Sequence, residues 1–154
     1  MIQTIIGLFN SIMNSFQYKT ARRNGLENKQ IYELCDNIRR RVKNSKKRKN
    51  IKDFPSVAAG CYTNRNLYID TTDSRPNYSQ VPILEHELQQ IGPIGSKRNQ
   101  CKYTIGACAE PKVAFFAMID GWNNLRTLKF TFSYRPRTGT KKKYCRNCRD
   151  VFNI

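Results

Sequence analysis

The chain has 154 residues, with 28 Lys and Arg against 11 Asp and Glu and a formal net charge of +17. This length is one domain's worth of chain and is enough to bury a core. A small neutral substrate would not need a positive field of this size, so nucleic acid is the first partner to consider and an anionic membrane surface the second.

Residues 1–16 carry apolar side chains at three- and four-residue spacing, which predicts an amphipathic helix. The segment has no basic start and no small-residue cleavage site, so a signal peptide is not expected, and it is too short and too polar to span a bilayer. We expect it to pack on the domain or on a partner, with binding to a membrane surface as the alternative. We therefore expect no transmembrane segment and an intracellular site of action.

A second helix is predicted after the turn signal Asn24-Gly25, from apolar residues at helical spacing: Ile31, Leu34, Cys35, Ile38 and Val42. Its end runs into a basic stretch, residues 39–49, that contains no acidic residue. Such a helix end is commonly just solvated, and phosphate contact is the alternative that the net charge of the chain favours. We divide the chain here, into an amphipathic and basic helical N-terminal region (1–52) and a second domain (53–154).

The second domain begins with short strands. Residues 57–62 and 66–71 are strand candidates, and residues 63–65 between them are typical of a hairpin turn. A short helix is predicted over 81–91, because its apolar residues share one side. The single histidine, His86, lies on the more polar side of that helix and receives no role, since a lone surface histidine is ordinary.

A buried helix is predicted to begin near Cys108. Pro111 suits a first turn, and residues 113–119 are apolar on nearly every side. Cys108 and Glu110 then lie at the helix N-terminus, where the helix dipole favours thiolate over thiol.

A second cysteine pair, Cys145 and Cys148, is spaced so that both sulfurs can face one side of a helical turn. Together with Cys108 this pair can supply three thiolate ligands to one zinc ion, which leaves a fourth position open for water. Zinc lowers the pKa of that water towards neutrality, and Glu110 can reach the water and move its proton as general acid and base.

The clearest strand lies between the two parts of this motif, where apolar and polar residues alternate over 128–134. It leads into a basic cluster beside the second cysteine pair: Lys141, Lys142, Lys143 and Arg146. We predict that these four side chains border the active site and bind a nucleic-acid backbone, whereas the basic stretch 39–49 adds only general attraction.

The pattern of Cys108-x-Glu110 at one helix start and Cys145-x-x-Cys148 at the next, with a strand between, resembles the zinc-dependent nucleobase deaminase superfamily. The motif Gly-x-Cys-Ala-Glu-Pro, with Cys where many members have His, is most similar to that of the YwqJ-like branch of the bacterial toxin deaminases. The resemblance covers roughly residues 54–150.

Two features depart from the family pattern. Tyr144 stands where a Pro usually precedes the Cys-x-x-Cys pair, and the chain ends at Ile154, soon after Cys148, whereas many members continue with further strands. We therefore expect either a compact form of the fold or a sheet that is completed in an unusual way.

The resemblance implies an α/β fold, namely a cytidine deaminase-like three-layer α/β/α domain behind a helical basic extension. It implies Cys108, Cys145 and Cys148 as Zn²⁺ ligands and Glu110 as the catalytic acid and base. The implied activity is hydrolytic deamination of a nucleobase, with cytosine favoured over adenine. Together with the net charge, the resemblance favours single-stranded DNA or RNA, because the target base must leave the stack. A toxin role would add an immunity or inhibitor protein as a partner.

Two other interpretations of the cysteines stay open. An even number of cysteines is also typical of a secreted disulfide-bonded protein. A structural zinc site could instead be closed by a fourth cysteine, namely Cys101, Cys61 or Cys35. The chain would then be a non-catalytic zinc-stabilised nucleic-acid-binding module. Glu110 favours catalysis, since a structural site has no use for a buried carboxylate, although helix capping is an ordinary role for glutamate.

Overall fold

The computed structural model of the protein describes residues 29–30, 33–34, 36–37, 40, 55–63, 66–72 and 74–154. The predicted helix over 1–16, the turn at Asn24-Gly25 and nearly all of the basic stretch 39–49 lie outside the described residues. The described residues between 29 and 40 are helical, in agreement with the second predicted helix.

Five strands form an antiparallel sheet around β1 (Ala58–Tyr62). One edge of β1 pairs along its whole length with β2 (Leu67–Thr71), which confirms the predicted hairpin. The other edge pairs with β3 (Lys129–Phe130) and β4 (Ser133–Arg135), and β5 (Thr140–Lys142) pairs with β4. Because β1 is paired on both edges, it is the buried central strand of the sheet.

The predicted strand over 128–134 is interrupted at Thr131. The backbone N–H of Thr131 donates to Gly60 O at 2.9 Å, and the N–H of Gly60 donates to Thr131 Oγ1, also at 2.9 Å. The side-chain hydroxyl thus accepts a bond that a backbone carbonyl accepts in a regular ladder. This interruption divides the strand into β3 and β4 and leaves Phe132 between them largely exposed.

Within residues 74–154 the structure has three helices: α1 (Pro82–Gln90), α2 (Ala109–Ile119) and α3 (Arg146–Phe152). Short 3₁₀ turns at Tyr78–Gln80 and Leu125–Thr127 precede α1 and β3. The predicted helix over 81–91 is confirmed as α1, which has proline in its first turn and buries Leu84 and Leu88. α2 is buried along most of its length, because its sequence is apolar on nearly every side.

The two faces of the sheet have different neighbours, because alternate residues of a strand point to opposite sides. Cys61 of β1 lies in the main core with Val113 of α2 and with residues of α1 and α3. Ala58 of β1 and Tyr134 of β4 face the other side, where Leu34 packs against them. Helical residues therefore contact both faces of the sheet.

A buried ion pair links α2 to β2. Lys112 Nζ lies 3.1 Å from Asp70 Oδ1 and donates to Thr71 O at 3.2 Å. Both charged side chains are almost completely buried. The contact ties the helix that begins after Cys108 to the strand at the edge of the sheet.

The expected α/β class is confirmed in the sense that helices combine with an antiparallel sheet. The deaminase-like three-layer arrangement and the division of the chain at residue 52 stay predictions. In the part of the chain that the structure describes, no helix is long and apolar enough to cross a bilayer.

Candidate metal centre

Three cysteines from two distant parts of the sequence meet at the starts of two helices. Cys108 is the N-cap residue of α2 and Cys145 the N-cap residue of α3, both with extended backbone (φ −75°, ψ 161° and φ −74°, ψ 164°). Cys148 lies in the first turn of α3. The Sγ atom of Cys145 is 3.3 Å from that of Cys108 and 3.4 Å from that of Cys148, and all three sulfurs lie within 4.8 Å of one another. The predicted convergence of these cysteines is confirmed.

The cluster has the chemistry and the size of a metal site. Four-coordinate zinc with Zn–S bonds of about 2.3 Å places its sulfur ligands about 3.8 Å apart, so outward shifts of a few tenths of an ångström would seat the ion. The five cysteines that the structure describes are free, and a separation of 3.3 Å is far longer than an S–S bond of about 2.05 Å. The three buried thiols are therefore close enough to bind one metal ion.

The pKa values of the three thiols are shifted in different directions. The hydrogen bonds that Cys145 Sγ shares with Cys108 and Cys148 hold the pKa of Cys145 well below its usual range. The bond with Cys145 raises the pKa of Cys108. The pKa of Cys148 is raised by its contact with Cys108, then by its contact with Cys145 and by burial. These contacts favour the thiolate form of Cys145 over that of Cys108, where the helix dipole is expected to favour it.

Glu110 lies beside the cluster in the first turn of α2, where it is only 1% exposed. Its Oε2 is 3.4 Å from Cys148 Sγ. Its Oε1 accepts a short hydrogen bond from the hydroxyl of Ser133, which is fully buried on β4. One carboxylate oxygen is thus held by the sheet and the other faces the cysteines.

Ser133 is a site residue that the sequence pattern did not reveal. The alternation over 128–134 assigns Thr131 and Ser133 to the polar side of the strand, which is ordinarily the solvent side. In the structure both are buried, whereas Phe132 is 49% exposed. Phe130 pairs with Cys61 and Tyr134 with Ala58, on opposite faces of the sheet. The interruption at Thr131 therefore turns Ser133 to the face that holds Glu110.

Backbone around the cluster is held by neighbouring aromatic residues. Tyr78 OH donates to Gly106 O at 2.8 Å, two residues before Cys108. Tyr144 OH donates to Thr131 O at 2.6 Å, and burial raises the pKa of Tyr144 to about 12. Tyr144, directly before Cys145, therefore links the start of the second cysteine pair to the strand.

Among the described residues, no further Cys, His, Asp or Glu joins Cys108, Cys145 and Cys148 as a fourth member of this group. Cys61 is buried and Cys101 half-buried, but neither belongs to the cluster, and Cys35 lies outside the described residues. His86 is exposed, with a 3.4 Å contact to Gln90. Within the described residues, these three cysteines are thus the candidate metal ligands.

The basic residues predicted to border the site lie in different places. Lys142 is paired in register with Ser133, and its charge helps to lower the pKa of Cys145, so its ammonium lies near the cluster. Lys141 is paired with Tyr134, whose side chain is on the opposite face. Arg146 is exposed in the first turn of α3, and Lys143 is exposed between β5 and α3. Nucleic-acid binding by these four residues stays a prediction.

Comparison of the chain with protein-family models, with curated proteins and with solved structures finds no match. The geometry of the three cysteines, Glu110 and their neighbours is therefore the basis for a functional assignment.

Proposed function

We propose that this protein is a zinc-dependent hydrolase that deaminates a nucleobase, cytosine in preference to adenine, in single-stranded DNA or RNA. The observation that carries the proposal is the placement of Glu110. A buried carboxylate lies against a cluster of three cysteines and is held there by a hydroxyl from the sheet. Burying a carboxylate is costly, so its presence beside the sulfurs argues for a chemical role.

The donor set supports zinc as the resident metal. Three thiolates suit zinc, whereas magnesium and calcium take oxygen ligands. When bound by three protein ligands, zinc supplies a Lewis acid with an open position that lowers the pKa of water towards neutrality. Cys108, Cys145 and Cys148 would hold the ion.

Glu110 is suited to moving protons in the reaction. Its Oε1 is fixed by Ser133, so its Oε2 is the oxygen directed towards the sulfurs. In the proposed reaction, the oxygen of water adds to C4 of cytosine, or C6 of adenine, and the amino group leaves as ammonia. Glu110 takes one proton from that water and passes it to the ring nitrogen. It then takes the second proton from the hydroxyl now on the ring carbon and gives it to the departing amine, so that a carbonyl and ammonia form.

The order of elements supports the deaminase interpretation of the fold. One helix begins after Cys108 and carries Glu110 in its first turn, strand residues follow, and the next helix begins after Cys145. With α2 on one face and Leu34 on the other, this order suits a compact three-layer α/β/α domain of the cytidine deaminase type.

The charge of the chain supports a polynucleotide substrate. A net charge of +17 attracts phosphate backbones and steers their association. A single strand is favoured over a duplex, because the target base must be unstacked before it can enter a site.

A non-catalytic zinc-stabilised module is the second candidate function. It is favoured by the burial of the cluster, in which the most exposed thiol, Cys145, is only 9% exposed. In such a module zinc would contribute folding energy alone. Glu110 would then only stabilise the N-terminus of α2 through the helix dipole, and its replacement would cause no loss of function.

The two candidates differ in the effect of Glu110→Gln, which keeps the shape of the side chain and removes its charge. Deamination predicts that this variant keeps its zinc and binds nucleic acid as wild type does, yet converts no base. Glu87→Gln is the matched control, because Glu87, on α1, is only half-buried and is paired with Arg126. Deamination that persists in Glu110→Gln would refute the role of Glu110, and an inactive wild type with zinc bound would favour the module.

A further inference from the structure

Tyr103 has an aromatic ring that is exposed to solvent near the cysteine cluster. Its side chain is 38% exposed, whereas Tyr78 and Tyr134 are buried. Lys142 Nζ lies 4.1 Å from the centroid of the Tyr103 ring. Proteins bind single-stranded nucleic acid with groups of this kind. A base stacks on an accessible aromatic ring, and a phosphate pairs with a neighbouring cation.

Two contacts place this pair beside the candidate active site. Asn147, which lies within the second cysteine pair, donates from Nδ2 to Tyr103 O at 3.0 Å. Lys142 lies opposite Ser133, the residue that holds the carboxylate of Glu110. Tyr103 and Lys142 are therefore held by two of the elements that build the site, α3 and β4.

The loop that carries Tyr103 is also fixed to α3 by charged side chains. Arg98 Nη1 lies 2.5 Å from Asp150 Oδ2, and Arg146 Nη1 donates to Gln100 Oε1 at 2.8 Å. A ring on an anchored loop loses little conformational freedom when a base stacks on it, so more of the stacking free energy appears as affinity.

We propose that Tyr103 and Lys142 bind the nucleotide next to the target base in a single-stranded polynucleotide. The base of that nucleotide stacks on the Tyr103 ring, and its phosphate pairs with Lys142. The inference rests on the proposed deamination, since it assigns the residues that set which neighbouring base the enzyme prefers.

The same part of the sheet carries a matched pair on its other face. Lys141 Nζ lies 4.2 Å from the centroid of the Phe132 ring, which is also exposed. Lys141 lies opposite Tyr134, which faces away from α2. The two pairs thus have similar chemistry, but only Tyr103 and Lys142 lie on the face that holds the cysteines.

The test uses the full-length zinc-loaded protein and mixed-sequence single-stranded DNA and RNA oligonucleotides. Affinity is measured by fluorescence anisotropy at several salt concentrations, and deaminated products are sequenced to give the preference for neighbouring bases. Zinc content and thermal melting of every variant identify any that fail to fold. The variants are Tyr103→Ala, Tyr103→Phe and Lys142→Gln, with Phe132→Ala as the control.

We expect Tyr103→Ala to weaken binding roughly 5- to 150-fold, the range for loss of one base–aromatic stack. It should also erase the preference at the neighbouring position, and Tyr103→Phe should retain both. Lys142→Gln should lower the slope of log affinity against log salt by about 0.7, the value for one phosphate contact on a single strand. Phe132→Ala should leave the preference unchanged.

The outcomes separate this inference from the proposed function. Equal losses from Tyr103→Ala and Phe132→Ala in folded, zinc-loaded variants, with deamination intact in wild type, would overturn the inference alone. Tighter binding of duplex than of single strand would also overturn it. A wild type that binds single strands but deaminates none would overturn the proposed function, while the affinity comparison would still decide between the two aromatic pairs.

Discussion

The hydroxyl of Ser133 on β4 donates a hydrogen bond to the carboxylate of Glu110 at the start of α2. Both side chains are buried, and the other carboxylate oxygen contacts Cys148. A strand residue therefore sets the direction of the side chain that we propose as the proton carrier.

Ser133→Ala is expected to lower kcat with little change in KM, because the carboxylate loses its orientation while the substrate surface is untouched. The unsatisfied buried acceptor should also lower the free energy of unfolding by about 1–3 kcal/mol. Steady-state kinetics and denaturant unfolding measure both effects. Ser79→Ala is the control, since the Ser79 hydroxyl is exposed and bonded to Asn77. Unchanged kcat in Ser133→Ala would show that Glu110 needs no support from β4.

Replacing any one ligand is expected to release the metal. Cys108→Ser, Cys145→Ser and Cys148→Ser should each lose zinc and melt at lower temperature, because the binding free energy of the ion contributes to folding. Elemental analysis of purified proteins measures the metal, with Cys101→Ser as the control that keeps it. Full zinc content in one of the three ligand variants would contradict the ligand set, as would a disulfide between any two of these cysteines.

The buried ion pair between Lys112 and Asp70 is expected to matter far more than an exposed pair. Lys112→Met leaves a buried carboxylate without this cation and should lower the free energy of unfolding by about 3–5 kcal/mol. Lys29→Met removes an exposed contact to Glu33 and should change it by less than about 1 kcal/mol. Urea unfolding compares the two variants, and equal effects would show that burial does not strengthen the inner pair.

Gly106 is expected to tolerate alanine less well than Gly121 does. Both have left-handed backbone, with φ of +79° and +96°. A Cβ on Gly106 would meet Tyr78 Cε2 at 2.9 Å, whereas one on Gly121 meets nothing within 4 Å. Gly106→Ala should therefore melt at lower temperature than Gly121→Ala and retain zinc less tightly in chelator titrations, because Cys108 would shift. Equal melting temperatures would contradict the role of the Tyr78 contact.

Most elements of the fold and the convergence of the three cysteines could be predicted, because local signals indicate them. The spacing of Cys145 and Cys148 places both sulfurs on one side of a turn, and the buried helix after Cys108 is recognisable from its apolar residues. Once both cysteine-bearing helices pack on one face of the sheet, the three sulfurs meet.

The neighbours of the site could not be predicted, because they depend on tertiary pairing. Ser133 belongs to the polar side of its strand by alternation, and only the packing of Glu110 against β4 buries it. Lys141 and Lys142 form one basic run in the sequence, but the pairing of β5 with β4 sends their side chains to opposite faces. Tyr103 lies in a loop with no periodicity to indicate its contacts.

The central claim is tested most directly by sequencing single- and double-stranded DNA and RNA after incubation with the zinc-loaded wild-type protein. We predict C-to-U conversion in the single strands, with little conversion in duplexes and none by Glu110→Gln. Neither C-to-U nor A-to-I change in any substrate, from protein that holds one zinc ion per chain, would contradict the proposal that this site is a nucleobase deaminase.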